Sequence, residues 1–504
     1  MSRHTPHPTP KRGRPSRLLA GVLLAAAVAP GLAGCSKVGA APSAPKVALS
    51  PCRVEGIPWQ AKCGTYEVFE NRETKQGRKI ALRVVVVPAL APNPAPEPLV
   101  LLAGGPGQAA SETNALSAVE RIHRGRDILL VDQRGTGASN PLDCHFHPPD
   151  APLSDVFEAT YREEEVRKCL ASYGDTDPRL YTTPIAMDDL DEVREALGYE
   201  KLNLWGISYG TRAALVYMRQ HPERVRTATL DGVAPLSLYL PLYIARDGQR
   251  ALELAFSHCE KDAACAKAYP ELRSRVEALV ERLKQAPAQA RVAHPLTGVP
   301  EDVKLGYTGF MSALQGQLYM PELAALLPLV LDRATRDDWG PFVALSHGIM
   351  SGMEKSLSQG MFFSVTCAED APFMTEADAA REARGTWFGD TATTNLLSAC
   401  KVWPKGTVPQ GYRQPVTSSV PTLLLSGELD PVTPPSWAED ARRTLSRSLH
   451  VVVPGVGHNT MNVGCVRTLM ADFIAAGDVA DLKPTCGEGM ARPPFITSFA
   501  GSVP

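Results

Sequence analysis

Ser208 is the residue whose surroundings most clearly suggest chemistry. It stands at the centre of the segment Gly206 to Gly210, Gly-Ile-Ser-Tyr-Gly, in which small residues flank a serine on a sharp strand-to-helix turn. The aliphatic run Leu202 to Trp205 precedes the pattern, and a helical pattern begins at Thr211. A serine hydroxyl is a poor nucleophile until a base removes its proton. The chain must therefore also supply a histidine, and a carboxylate to orient it.

An acid and a histidine follow Ser208 in the order Ser, acid, His, which hydrolases with this serine turn use. Asp430 follows the predicted strand Thr422 to Ser426, and His458 follows the predicted strand His450 to Val453. Catalytic side chains typically lie in loops after such strands. We predict Ser208, Asp430 and His458 as a catalytic triad, with Asp430 preferred to the competing acid Glu428.

The oxyanion of a tetrahedral intermediate needs hydrogen-bond donors. The backbone N–H of Tyr209, next to the nucleophile, is one candidate. The second candidate is the backbone N–H of Gly105, in the glycine-rich loop after the predicted strand Leu99 to Ala103. Pro106 is excluded because proline has no backbone N–H.

Several short motifs occur together in a fixed order: Gly104 to Gly107, Asp132 to Ser139, the Ser208 turn, Asp430 to Thr433, and Gly457-His458. At these residues the chain resembles the prolyl iminopeptidase and tripeptidyl aminopeptidase family of α/β-hydrolases. Its size and cysteines are most similar to the secreted tripeptidyl aminopeptidase branch. One difference is Ala103, where prolyl iminopeptidases usually carry histidine. The glycine-rich loop containing Arg134 resembles a structural support for the site.

The resemblance implies an α/β-hydrolase fold and an enzyme that removes residues or short peptides from the free N-terminus of a peptide through an acyl-enzyme. It also implies acids in a cap that bind the substrate ammonium, since a desolvated cation requires a charged partner. Glu369 and then Asp370 are the candidates, after the strand-like run Phe362 to Thr366. The alternative is an ordinary solvated turn. Within hydrolases, a carboxylesterase or lipase-type enzyme is the second hypothesis, because the same triad cleaves esters.

Strand-like and helix-like segments alternate on both sides of a mostly helical stretch. This pattern predicts a mostly parallel sheet with helices on both faces and a helical cap insertion. We expect a signal peptide at 1–35, a flexible tether at 36–51, the first part of the core at 52–235, the cap at 236–414 and the second part of the core at 415–504. The further predicted elements are the strands Ile80 to Val87, Ile128 to Val131 and Ala228 to Leu230, and the helices Met187 to Leu197, Thr211 to Gln220, Arg250 to Glu260, Glu271 to Gln285, Pro321 to Arg333 and Ser436 to Leu445.

The N-terminal residues have the layout of a secretory signal, with basic residues before the apolar run Leu18 to Ala29. Leu32 to Cys35 resembles a bacterial lipobox, which predicts lipidation of Cys35 and attachment to the cell envelope. By resemblance to lipoprotein sorting rules, Ser36 favours the outer membrane. The alternative is a cleaved signal with an incidental cysteine.

Eleven cysteines minus Cys35 leave ten, an even number that favours disulfides in an exported protein. Ten cysteines allow about 945 pairings, so the sequence does not fix the connectivity. Pairing of sequence neighbours predicts Cys52–Cys63, Cys144–Cys169, Cys259–Cys265, Cys367–Cys400 and Cys465–Cys486.

The composition is that of an ordinary globular protein, with 44% hydrophobic and 21% charged residues and a net charge of -2. Such a balance provides no electrostatic field that would attract nucleic acid, so we predict no nucleic-acid partner.

We also predict no metal and no cofactor. Two other patterns suggest different chemistry: Gly105 to Ala110 with Asp127 or Asp132 also fits a dinucleotide fingerprint, and Cys144, His145 and His147 could suggest a zinc site. A non-catalytic binding protein is the alternative outside the enzymes.

Overall fold

Hydrogen bonding joins nine strands of the chain into one sheet. The computed structural model describes residues 47–112, 114–144, 146, 151–157, 161–487 and 489–500. The predicted signal peptide with Cys35, most of the predicted tether, and the two histidines His145 and His147 lie outside these residues.

The strands are β1 Ser50–Cys52, β2 Ala61–Phe69, β3 Lys79–Val87, β4 Leu99–Leu102, β5 Ile128–Val131, β6 Leu202–Ile207, β7 Val225–Asp231, β8 Ala288–Ala293, β9 Pro300–Leu305, β10 Thr422–Gly427 and β11 Ser448–Val453. The large sheet has the order β1-β2-β3-β5-β4-β6-β7-β10-β11. Its first four strands pair antiparallel, and the strands from β5 to β11 in this order pair in parallel. The predicted α/β class with a mostly parallel sheet is confirmed.

Alternating side chains of the central strands fill two hydrophobic cores. In β4, Val100 and Leu102 join the core on one face, and Leu99 and Leu101 join the core on the other. This is the period of two that a strand imposes on its side chains. Because both faces are covered, the central strands are apolar throughout, and β4 and β5 are completely buried.

The α-helices are α1 Glu120–His123, α2 Leu153–Val156, α3 Glu163–Ala171, α4 Thr183–Leu197, α5 Tyr209–Gln220, α6 Ile244–Lys261, α7 Ala263–Ala268, α8 Leu272–Gln285, α9 Tyr307–Gln317, α10 Pro321–Ala324, α11 Leu327–Ala334, α12 Gly340–Ser356, α13 Gln359–Glu369, α14 Glu376–Glu382, α15 Thr391–Val402, α16 Pro435–Arg442 and α17 Gly464–Ala476. Short 3-10 turns cover Ala110–Glu112, Asn114–Val119, Pro178–Leu180, Pro222–Arg224 and Ala371–Phe373.

The stretch between β7 and β10 carries ten of these helices, α6 to α15, together with the β8–β9 pair. Residues 236–414 are called the inserted segment here. It has a hydrophobic core of its own, built from helices such as α6, α8, α9, α11 and α12. The chain then returns to the same sheet, since β10 pairs with β7.

Most predicted elements lie inside the observed ones, but three differences have physical causes. Phe362 to Thr366 was expected to be strand-like and is instead part of α13. Every residue from Phe363 to Glu369 is buried, so the segment has no exposed face and its periodicity does not separate strand from helix. The hairpin β8–β9 was not predicted, because β8 alternates alanine with polar residues and has a weak apolar face. Ser50 and Pro51, within the predicted tether, already pair with β2.

All five predicted disulfides are present: Cys52–Cys63, Cys144–Cys169, Cys259–Cys265, Cys367–Cys400 and Cys465–Cys486. Five such bonds indicate a protein that is exported to an oxidising compartment. Among the described residues, the helices are each too short or too polar to cross a bilayer.

Candidate active site

Ser208 lies on a strained turn between β6 and α5. Its backbone angles are φ 56° and ψ -124°, a positive φ that non-glycine residues rarely adopt. The turn places Ser208 at the carboxyl end of β6, where Ser208 and Ile207 are partly exposed while Gly206 and Tyr209 are buried. Such strain persists only where the surrounding structure enforces it, and it is common at reactive residues.

The two glycines of the turn are required by close backbone approaches. A side chain on Gly206 would collide with the carbonyl oxygen of Gly210, and one on Gly210 would collide with the carbonyl oxygen of Leu102 in β4. Because both positions are glycine, α5 can begin in direct contact with β4. This contact holds Ser208 at the carboxyl end of the sheet.

Asp430 and His458 form a hydrogen-bonded pair. Asp430 lies in the loop after β10, and His458 lies in the loop after β11. Nδ1 of His458 lies 2.8 Å from Oδ2 of Asp430. The other carboxylate oxygen, Oδ1, accepts hydrogen bonds of 2.8 Å from the backbone N–H groups of Val432 and Thr433. The Thr433 hydroxyl donates to Oδ2 at 2.8 Å and lies 3.1 Å from Nδ1 of His458. Because an ionised carboxylate can only accept, Nδ1 carries the proton and Nε2 is left as the basic nitrogen.

The electrostatics of the pair favour the ionised acid and a basic histidine. Burial alone would raise the pKa of Asp430, but the charge of His458 and the hydrogen bonds hold that pKa below its ordinary value. Burial would lower the pKa of His458, yet the Asp430 charge and its hydrogen bond raise the pKa of His458 above its ordinary value, with a further contribution from Asp231. An imidazolium formed when His458 takes a proton is thus stabilised.

Ser208 and His458 both lie beside the end of β7. The Ser208 N–H donates a 2.9 Å hydrogen bond to the carbonyl of Asp231, the last residue of β7. The next residue, Gly232, lies so close to the imidazole that a side-chain carbon there would be 3.2 Å from Cε1 of His458. The structure therefore brings the three predicted triad residues to one edge of the sheet, at the carboxyl ends of β6, β10 and β11. Glu428, the competing acid, instead accepts a hydrogen bond from the Gly455 N–H.

The glycine-rich loop after β4 lies beside Ser208. A side-chain carbon on Gly104 would be 3.3 Å from Cβ of Ser208. The predicted oxyanion donor Gly105 has φ +104°, an angle that favours glycine. The inserted segment covers this loop, because Leu357 packs against Gly105 and the Ser358 N–H donates a 2.9 Å hydrogen bond to the Gly107 carbonyl.

Glu369 is completely buried at the end of α13 and belongs to a hydrogen-bond chain that reaches Tyr209, next to Ser208. Its carboxylate accepts from the Thr183 backbone N–H at 2.6 Å, from the Thr183 hydroxyl at 2.9 Å and from the Tyr412 hydroxyl. The Thr183 hydroxyl also lies 2.6 Å from the Tyr209 hydroxyl. Burial raises the pKa of Glu369, while Arg212 and these donors oppose the rise.

Asp370 is also completely buried, and its carboxylate forms ion pairs with two arginines. Arg212 lies 2.9 Å away and Arg413 lies 3.1 Å away, and the Leu240 N–H donates at 3.1 Å. The predicted substrate ammonium would have to displace these internal partners from Asp370, or displace Thr183 and Tyr412 from Glu369. Glu369 therefore links the inserted segment to the start of α4, and Asp370 links it to α5.

Sequence reasoning did not identify Tyr319, which contacts His458 from the inserted segment. The Tyr319 carbonyl accepts a 2.8 Å hydrogen bond from the His458 N–H. The two rings meet edge to face at a centroid distance of 5.3 Å. Tyr319 stands after α9 with no motif around it, so the sequence carries no signal for this role. Thr433, by contrast, lies in the motif Asp430 to Thr433, in which the sequence assigned a function only to Asp430.

The loop around Arg134 has a structural role. The guanidinium is fully buried and donates to the Asp189 carboxylate at 2.6 and 2.9 Å and to the backbone carbonyls of Glu70 and Leu180. The dinucleotide pattern has the wrong setting, because a 3-10 turn at Ala110–Glu112 follows the glycine loop where the fingerprint requires a long helix. The described residues hold no cluster of three metal-ligating side chains, and Cys144 is disulfide-bonded.

Two protein-family models match the chain on either side of most of the inserted segment. The model of the alpha/beta hydrolase fold matches residues 97–269, which include Ser208. The model described as TAP-like protein matches residues 385–486, which include Asp430 and His458.

Curated relatives match much of the chain. Serine protease Hip1 of Mycobacterium tuberculosis is 27% identical over 529 residues, covering 94% of this chain and 99% of that protein. Tripeptidyl aminopeptidase of Streptomyces lividans is 25% identical, covering 77% of this chain and 76% of that protein. Proline iminopeptidase of Neisseria gonorrhoeae is 30% identical over a shorter region, covering 28% of this chain and 34% of that protein.

Proposed function

Because this chain belongs to the α/β-hydrolase family of serine peptidases, we propose that it is an exported peptidase that releases residues or short peptides from the free N-terminus of peptides. Ser208 is the nucleophile, His458 the general base and Asp430 the residue that orients His458. The observation that carries the proposal is the 2.8 Å Asp430–His458 pair next to the strained Ser208 turn.

The reaction follows from the protonation state of each group. Nε2 of His458 takes the proton of the Ser208 hydroxyl as Oγ attacks the peptide carbonyl carbon. The resulting oxyanion accepts hydrogen bonds from the backbone N–H groups of Tyr209 and Gly105. The imidazolium then gives its proton to the leaving amine, the C–N bond breaks, and an ester remains on Ser208. Water attacks this ester with His458 again as base, which releases the acid product and restores the serine.

The inserted segment acts as a cap that determines which substrates enter. Leu357 against the glycine loop and Tyr319 against His458 are the contacts through which it reaches the reacting groups. A cap in this position excludes water from the reaction and limits the length of the bound chain. Recognition of a free substrate ammonium requires a carboxylate. The sequence candidates are Glu369 and Asp370, and either one would first have to release the internal partners that it binds.

The proposal is tested with a substrate panel on the purified protein. Peptides of one sequence are offered with a free N-terminus and with an acetylated N-terminus, next to short-chain acyl esters, and Ser208→Ala serves as the blank. The proposal expects cleavage near the free N-terminus and a much lower kcat/KM for the acetylated peptides. Preferential hydrolysis of the acyl esters, with no cleavage of free peptides, would replace the peptidase with a carboxylesterase.

We also propose that Cys35 carries a lipid that attaches the protein to the cell envelope, with the outer membrane favoured. The support is the motif Leu32 to Cys35 with Ser36 after it, and two acyl chains make such attachment stable. Cys35→Ala should move the protein from the membrane fraction to the soluble fraction with its activity unchanged. Continued membrane attachment of the Cys35→Ala variant would refute the lipid anchor.

A further inference from the structure

Asp231 is a buried carboxylate at the end of β7 that the reaction described above does not use. Its backbone carbonyl accepts the hydrogen bond from Ser208. Its side chain binds Thr460, two residues after His458: Oδ1 accepts from the Thr460 N–H and from the Thr460 hydroxyl, both at 2.9 Å, and Oδ2 lies 3.1 Å from the same N–H. One residue thus connects the loop of the nucleophile with the loop of the histidine.

We infer that Asp231 is a positioning residue, whose carboxylate holds the loop after His458 against the Ser208 turn. The inference rests on the proposed function, since it assigns Asp231 a role in the same reaction. Asp231 acts through Thr460 and through its charge, and it needs no contact with the substrate.

The charged groups that face Asp231 determine how it titrates. They are His458 from the loop after β11 and Asp430 from the loop after β10. Burial raises the pKa of Asp231 to about 6, the charge of Asp430 adds to the rise, and the Thr460 hydrogen bonds and His458 oppose it. In return, the negative charge of Asp231 contributes to the raised pKa of His458.

The raised pKa of Asp231 also predicts how the stability of the fold changes with pH. A carboxyl group whose pKa is higher in the folded state binds its proton more tightly there, so it stabilises the fold at low pH, and this stability is lost as the pH rises through about 6. At neutral pH the ionised side chain therefore destabilises the fold.

The variant Asp231→Asn keeps the shape of the side chain and removes its charge. The rate at which Ser208 reacts with a fluorophosphonate probe is measured against pH, because this readout needs no knowledge of the natural substrate. The inference expects the acid limb of the labelling profile to move to lower pH, since His458 loses a stabilising negative charge. It also expects the difference in Tm, variant minus wild type, to increase as the pH is raised through about 6.

Asp132→Asn is the matched control. Asp132 is also a fully buried aspartate directly after a strand, it accepts hydrogen bonds from the backbone N–H and hydroxyl of Ser111 at 2.8 and 2.9 Å, and burial raises its pKa. Asp132 does not contribute to the pKa shift of His458, so this variant should leave the acid limb of labelling in place. A shift of equal size in both variants would show a general effect of altered buried charge and overturn the inference.

Thr460→Val provides a second test that retains the Asp231 charge. It removes the hydroxyl hydrogen bond to Asp231 and keeps the backbone bond, so slower labelling of Ser208 is expected, and an unchanged rate would contradict the positioning role. This variant decides the question if Asp231→Asn does not accumulate as folded protein. If wild-type Ser208 is not labelled at all, the proposed function fails. If the wild type is labelled and Asp231→Asn keeps the wild-type acid limb, only the role of Asp231 fails.

Discussion

The carbonyl oxygen of Tyr319 accepts a 2.8 Å hydrogen bond from the backbone N–H of His458. Tyr319 belongs to the inserted segment and His458 to the core, so this bond joins the two at the proposed catalytic base. A side chain on Gly457, the residue before His458, would collide with the same carbonyl. The position of the histidine loop therefore depends on the inserted segment as well as on the sheet.

The first prediction concerns the Tyr319 ring, which packs edge to face on the His458 imidazole. Tyr319→Ala should lower kcat by about tenfold to a hundredfold, because a small displacement of a catalytic group is costly. Tyr319→Phe keeps the ring and should retain most of the activity. Steady-state kinetics on one peptide measure both variants, and a loss as large in Tyr319→Phe as in Tyr319→Ala would show that the hydroxyl, and not the packing, is what matters.

The second prediction concerns pH. Protonated His458 cannot take the proton of Ser208, so kcat/KM should fall as the pH drops through the pKa of His458. Because Asp430 and Asp231 raise that pKa, the fall should begin above the ordinary histidine value. Asp430→Asn should move the acid limb to lower pH and reduce kcat by about 10³–10⁴-fold. An acid limb at the same pH in this variant would show that another group controls it.

The third prediction separates two roles for Glu369. If its carboxylate binds a substrate ammonium, Glu369→Gln raises KM for free peptides only. The observed hydrogen bonds to Thr183 and Tyr412 predict instead a lower kcat on free peptides and on acyl esters alike, since both depend on the Tyr209 turn. Glu376→Gln, at an exposed site in α14, is the control and should change neither constant. A KM effect confined to free peptides would restore the substrate-binding role.

The fourth prediction concerns stability. Asp370→Ala leaves the buried Arg212 without its closest acid, and loss of one member of a buried ion pair typically costs about 3–5 kcal/mol. Asp302→Ala breaks an exposed ion pair with Arg291 and should cost less than about 1 kcal/mol. Denaturant unfolding of both variants measures the difference. Equal stabilities would show that the buried pair contributes no more than a surface one.

The sequence predicted the central sheet because its strands are short apolar runs, and it predicted the disulfides because each cysteine bonds its neighbour in sequence. The same reasoning failed at α13, where burial on every side removes the amphipathic pattern. It also missed β8 and β9, whose alternation is weak.

At the site, strand-end placement was enough to bring Ser208, Asp430 and His458 forward as candidates. Contacts made across the fold were not predictable in this way. Tyr319 reaches His458 from the inserted segment, and Asp231 reaches Thr460 over a separation of 229 residues. Neither residue lies in a motif that indicates its partner. The complete burial of Glu369 and Asp370 was equally hidden, because two adjacent acids in a sequence usually indicate an exposed turn.

The most direct test of the account is labelling of Ser208 itself. Purified protein is treated with a fluorophosphonate probe and the labelled peptide is identified by mass spectrometry, with Ser208→Ala and His458→Ala alongside. The account predicts a single covalent adduct on Ser208, no adduct in Ser208→Ala, and a peptidase rate reduced at least about a thousandfold in both variants. Wild-type peptidase activity in Ser208→Ala, or an adduct on a different serine, would contradict the account.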